Sequence, residues 1–295
     1  MITKDTSGEY INEVKKSYER ISELLGSKVD VGKAGYVKLI NAYGSDALIV
    51  ESARQSYKME DAELTEAKIN NMILSMTRNG HTSPFEQCSI TFKIKMPIFC
   101  MRQWCRHRTA RLNEASMRYT KSNGECWEPD DHTWEMRNLS KDFDESLEDD
   151  LSKEMEKSNK SSFEVYQNLI NKKVTPELAR IVLPLSSYTE FVWNIDLNNL
   201  RKTLNLRLDG HAQKEIFQFA VAIYMLTEKV FPVTMKHFIN EMYLTSKFNY
   251  ESLESIQRAI YAGETDAVVE KIDTKRLEVV RNREALLKEI DYLSK

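Results

Sequence analysis

The sequence predicts an α/β protein, on three observations. Residues Ser89 to Met96 alternate strictly, with Ile90, Phe92, Ile94 and Met96 set against Ser89, Thr91, Lys93 and Lys95, the period of a strand with one buried face. Tyr188 to Ile195 reads as a second strand. From Gly210 to Val230 the spacing becomes helical, with Ile216, Phe219, Ala220, Ile223 and Leu226 on one stripe. Of the 295 residues, 41% are hydrophobic and 29% charged, enough apolar material for a packed core and too much for disorder.

The other elements follow in order. Residues 9 to 26 mix charged and apolar side chains at helical spacing and read as a peripheral helix. Gly35 to Val50 gives a strand, a turn at Gly44-Ser45-Asp46 and a helix start, and Glu63 to Arg78 a helix stopped at Asn79-Gly80, where glycine accepts positive φ. Pro97 ends the alternating strand and opens a helix carrying Ile98, Met101 and Cys105 on one side, with Arg102 and Arg106 one turn apart. Residues 121 to 160 are charge-rich, but Leu147, Leu151 and Met155 recur every four residues, so a solvated helix is expected there. Thr175-Pro176-Glu177 caps and starts a short helix ended by Pro184, and Asp196 caps one running towards Leu206. From Lys275 onward, Leu277, Val280, Leu287, Ile290 and Leu293 suit a surface or partner-packing helix. The expected organisation is a helical N-terminal extension at 1–34, a main domain at 35–243 with a charged helical insert at about 121–170, and a C-terminal helical extension at 244–295.

Composition excludes some function classes. A net charge of -3 gives no basic field for nucleic acid or an anionic membrane, so anions must be held by local arginine clusters. The four cysteines lack a disulfide pattern, Met1-Ile2-Thr3-Lys4-Asp5 has no apolar signal core, and no long uncharged run is present; a cytoplasmic setting is expected. Cys100-x4-Cys105-x-His107 has no Cys-x2-Cys pair, so no metal is expected and both cysteines read as small core residues. Neither a glycine-rich phosphate loop nor a Rossmann fingerprint occurs; with 9 glycines, a nucleotide cofactor would be held by side chains and helix ends.

The chemistry concentrates in three places. Arg102, Arg106, Arg108, Arg111 and Arg118 are interleaved with Gln103, Trp104, His107, Asn113, Glu114, Ser116 and Tyr119. Guanidinium forks bind phosphates and carboxylates bidentately; a subunit-contact network, for instance Glu114 with Arg118, is the competing reading. Arg207-Leu208-Asp209-Gly210-His211 sits where the long helix is expected to start, a position suited to an anion. His81-Thr82-Ser83-Pro84-Phe85-Glu86 is a turn leading into the alternating strand.

Together these pieces resemble the flavin-dependent thymidylate synthases. Arg106-His107-Arg108, seven residues and then Ser116 is similar to that family's signature. The likeness extends through Asn113-Glu114-Ala115-Ser116-Met117-Arg118-Tyr119, Gly80-His81-x-Ser83-Pro84-Phe85-Glu86, Ala179-Arg180-Ile181-Val182-Leu183-Pro184 and Asn205-Leu206-Arg207-x-Asp209-x-His211-Ala212-Gln213.

The resemblance implies a mixed sheet flanked by long helices, assembled as a homotetramer with shared active sites. It implies methylation of dUMP to dTMP, with methylenetetrahydrofolate as carbon donor, FAD as hydride carrier and NADPH as reductant, and neither nucleic acid nor membrane as partner. Gln103, Glu114, Ser116, Arg118, Arg180 and Arg207 are then expected around dUMP, with Arg118 and Arg180 on its phosphate and Arg207 polarising the uracil carbonyl edge. Ser56, Ser83, Glu86, Arg106, His107, Arg108, Glu114, Asn198, Lys202 and His211 are expected towards FAD, with His81 on the flavin and folate side. Arg207, Ser116 and His81 are the catalytic candidates; Ser116 has no histidine beside it in the motif to act as base, so it reads as a positioning group rather than a nucleophile. Arg111, Gln87, Asp196 and Asn198 depart from the family pattern, leaving room for hydroxymethylation or another pyrimidine nucleotide. A non-catalytic nucleotide- or RNA-binding protein on the same fold is the alternative from another class.

Overall fold

A computed structural model describes residues 9–55, 64–130, 144–244, 250–262 and 265–295. Its centre is a five-stranded sheet in the order β1-β2-β3-β5-β4, with β1 Lys28–Val31, β2 Gly35–Tyr43, β3 Ser89–Pro97, β4 Arg111–Glu114 and β5 Tyr188–Asp196. Every ladder is antiparallel, so the expected mixed sheet is corrected. The two long strands pair along their full length, from Ser89 opposite Asp196 to Pro97 opposite Tyr188.

The alternation in β3 does what its pattern requires. Ile90, Phe92, Ile94 and Met96 are fully buried, as are Trp193 and Ile195 of β5. On the opposite face, Lys93 pairs with Glu190 at 2.6 Å and Lys95 with Glu125 at 2.6 Å, while the Tyr36 hydroxyl also donates to Glu190. Beneath the apolar face lies the helix Lys214–Val230, buried along nearly its whole length. It begins four residues later than expected: Asp209 Oδ1 accepts the His211 N–H at 2.8 Å, and this local turn holds Gly210–Gln213 outside the helix.

Several ends obey their capping residues. Gly80 closes Glu66–Asn79 with φ 67°, and the Asp196 carboxylate accepts the Asn199 N–H at 2.9 Å to start Leu197–Arg207. Asp196, a departure from the family pattern, is therefore a helix cap. The C-terminal helix Thr265–Leu293 buries Leu286 and Glu289, whereas Val280 and Leu287, expected on its packing stripe, are exposed at 41% and 50%. Among the described residues no helix is long and apolar enough to cross a membrane.

Candidate active site

Two elements meet at Arg207. Pro97 opens the short helix Ile98–Trp104, and buried Trp104 anchors it edge-on against Trp193 of β5, 5.2 Å between ring centroids. That anchor fixes Gln103 and, in the turn beyond, His107. Arg207 arrives as the last residue of Leu197–Arg207. Its Nε donates to His107 Nε2 at 3.0 Å and one terminal nitrogen donates to the Gln103 carbonyl at 3.1 Å. The Gln103 amide in turn donates to Gln213 Oε1 at 2.5 Å. Burial and the neighbouring guanidinium push His107 down to about 4, so at neutral pH its Nε2 is a bare acceptor. Burial also lowers Arg207, which stays cationic as guanidinium does.

A second constellation lies at the exposed edge strand β4. Glu114 accepts from the buried Thr189 hydroxyl at 2.5 Å, and the chain then turns so that Ser116 Oγ accepts the Arg118 N–H at 3.3 Å. A cleft of about 400 Å³ opens there between Ile98, Glu114, Ser116, Arg180, Ile181 and Leu185. Arg118 pairs with Glu177 at 2.8 Å, side chains 47% and 57% exposed, and so does not form the considered contact with Glu114. The cleft rim is apolar and bare: Ile181 and Leu185 are 71% and 53% exposed.

A third cleft, about 210 Å³, is lined by Thr82, Asn198, Arg201, Lys202, Asn205 and Glu241. It joins the Ser83–Gln87 turn to the start of Leu197–Arg207, because Asn198, buried, donates to Glu86 at 2.8 Å. Arg201 pairs with Glu241 and lies 5.3 Å from the Phe238 ring centroid, while Lys202 is exposed. His81 and Ser83 are exposed beside this cleft, and so are Arg106 and Arg108 beyond the first constellation. His211 bonds Asp209 at 2.8 Å with its side chain 89% exposed, three residues before the helix rather than at its first turn. Ser56 lies outside the described residues. Arg111 is engaged by Asn194 across the β4–β5 ladder at 2.9 Å.

Among the described residues, no three His, Cys, Asp or Glu side chains converge as a metal would require. Cys100 is buried, but Cys105, expected in the core, is exposed with its Sγ 2.9 Å from Met101 Sδ.

The model of the thymidylate synthase complementing protein family matches residues 38–233. The chain belongs to the flavin-dependent thymidylate synthase family. It is 36% identical over 249 residues to the flavin-dependent thymidylate synthase of Borreliella burgdorferi, covering 81% of this chain and 93% of that one. It is 40% identical to that of Treponema denticola, covering 77% and 87%. Among solved structures, a UMP/dUMP methylase PolB from Streptomyces cacaoi, bound with 5-Br dUMP, is similar with a TM-score of 0.65 and 29% identity, over 71% of this chain and 97% of that one.

Within this family member, the sequence reading missed the side chains that hold the motif residues: Gln213 on Gln103, Thr189 on Glu114 and Glu177 on Arg118. Only Gln213 carried a signal, as the last residue of a recognised motif.

Proposed function

We propose that the protein methylates dUMP at C5 to give dTMP, using methylenetetrahydrofolate as carbon donor, FAD as hydride carrier and NADPH as reductant. The observation that carries this reading is the setting of Arg207, held by neutral His107 and the Gln103 carbonyl. Its remaining terminal nitrogen makes no hydrogen bond among the described residues, leaving a fixed cationic donor edge for a carbonyl oxygen. Such a donor stabilises the enolate-like charge placed on the uracil ring when C6 accepts an electron pair, and so makes C5 the nucleophile that takes the one-carbon unit from the folate nitrogen. C5 then loses its hydrogen as a proton. When bound, reduced FAD supplies the hydride that completes the methyl group.

The β4 cleft suits the nucleotide's other end. Arg180 and Ser116 face one volume, and Arg118, two residues beyond Ser116, is held by an exposed ion pair with Glu177, a contact worth about 0–1 kcal/mol that a phosphate dianion can displace. In this reading Glu114, anchored by Thr189, orients the sugar or base edge. The third cleft fits flavin phosphates through Lys202, with Glu86 and Asn198 shaping the wall beside His81 and Ser83. Arg106, Arg108 and His211, exposed in one chain, serve the same cofactor from a neighbour. Catalysis is assigned to residues 35–243. The bare apolar rim and the exposed edge of β4 support a homotetramer in which active sites form between chains.

The test is release of tritium from C5-labelled dUMP with methylenetetrahydrofolate and NADPH, with UMP and dCMP in parallel and the product's mass determined. Release from dUMP and the mass of dTMP are expected. A protein that binds flavin but exchanges C5 of no pyrimidine nucleotide would sink the reading.

A further inference from the structure

The helix Thr265–Leu293 lies beyond the residues that the family model matches, yet its last turns press on the loop behind Arg207. Leu286 is 2% exposed, and Ala285, Ile290 and Leu293 pack against the same core. Glu289, fully buried, forms an ion pair with Lys214, whose side chain is 9% exposed. Asn282 runs so close to the loop that a Cβ on Gly210 would stand 2.6 Å from its Oδ1. On the loop's other side, the Tyr243 hydroxyl donates to the Leu208 carbonyl.

A buried ion pair is a poor device for stability alone, because desolvating both charges offsets their attraction; it is better suited to specifying one geometry. Here the pair fixes Lys214, the residue after Gln213. Gln213 accepts from Gln103, and Gln103 accepts from Arg207.

We propose that Glu289, through Lys214, and Asn282, against Gly210, are positioning residues: the C-terminal helix locks the Leu208–Gln213 loop so that Arg207 stays set on His107 and Gln103. The assignment of dUMP as the ligand affected rests on the function proposed above. The lock itself does not, because it can be read without ligand.

The experiment uses the full chain with Glu289→Gln, with Asn282→Ala, and with Lys214→Met and Glu289→Met together. Hydrogen exchange of the 208–213 amides is followed without ligand, and dUMP affinity is measured by calorimetry below the melting transition. Glu289→Gln is expected to speed exchange in the loop and weaken dUMP by on the order of tenfold, and Asn282→Ala to do the same to a smaller degree. The paired methionines, which keep the volume and leave no lone buried charge but make no directional contact, are expected to restore the melting temperature and leave loop exchange fast and dUMP weak; recovery of both would show that the ion pair positions nothing. Faster exchange confined to residues 282–295, with loop exchange and dUMP affinity within about twofold of the parent, would overturn the lock. If Glu289→Gln fails to fold, Asn282→Ala is judged by the same two readings. A parent protein that binds no dUMP contradicts the substrate reading, while the exchange arm still decides the lock.

Discussion

Arg207 and Arg118 belong to motifs of one family but sit in opposite settings. Arg207 is half-buried and doubly held, by a histidine kept neutral and by a backbone carbonyl. Arg118 is 47% exposed, tied to an exposed glutamate and lying 5.4 Å from the Tyr119 ring centroid. The contrast matches the work proposed for each. A group that stabilises developing charge gains from being fixed before the reaction, since no reorganisation is then needed. A group that captures a phosphate gains from a weak, replaceable partner.

The sharpest break of this comparison is Arg207→Ala. It is expected to cut C5-hydrogen release from dUMP by about 10²–10³-fold, while the circular dichroism melt shows an intact fold; unchanged release would remove the polarising role. Arg180→Ala comes next, weakening dUMP by about tenfold or more through one charged hydrogen bond, read by calorimetry. Arg118→Ala has a smaller cost because Glu177 already competes for it, and Glu177→Gln is expected to tighten dUMP. If Glu177→Gln loosens dUMP, the replaceable-partner account of Arg118 is wrong. Ser116→Ala is expected to cost a few-fold in turnover; loss of several orders of magnitude would make it a nucleophile after all.

Acid sharpens the same contrast. In the unfolded chain His107 titrates near its ordinary value of about 6.5, whereas in the fold it is held down to about 4. Between those values the unfolded state binds a proton that the folded state does not. Stability present above pH 6.5 is therefore lost as pH falls towards 4. Melting temperature is expected to drop across that window, and His107→Gln to flatten the drop. An equal drop in both proteins would contradict the assignment.

Much of this was legible in the sequence wherever one residue type meets one need. The alternation of Ser89 to Met96, Gly80 at a left-handed position and Asp196 at a helix start all act as their chemistry dictates. Strand β4 was not legible, because Arg-Leu-Asn-Glu at an exposed edge has no buried face to impose a period. The late start of the helix at Lys214 came from the Asp209 turn, which competes locally with helix geometry. Glu289 reads as a surface residue until its ion pair with Lys214 is seen. The motif residues were visible at once, but Glu177, which holds Arg118, and Thr189, which holds Glu114, are ordinary residues far from them in sequence.

The groups proposed for the base edge and for the phosphate lie in separate places on one chain: Arg207 beside His107 and Gln103, and Arg180 beside Ser116 in the β4 cleft. The measurement that tests the account most directly is to mix the two impaired variants Arg207→Ala and Arg180→Ala, allow subunits to exchange, and follow C5-hydrogen release at a dUMP concentration too low to saturate Arg180→Ala. Sites formed between chains predict that activity returns in the mixture, because some sites receive both native arginines. A mixture that has exchanged subunits, as mass measurement can establish, yet stays at the mean of its two components would contradict the shared site.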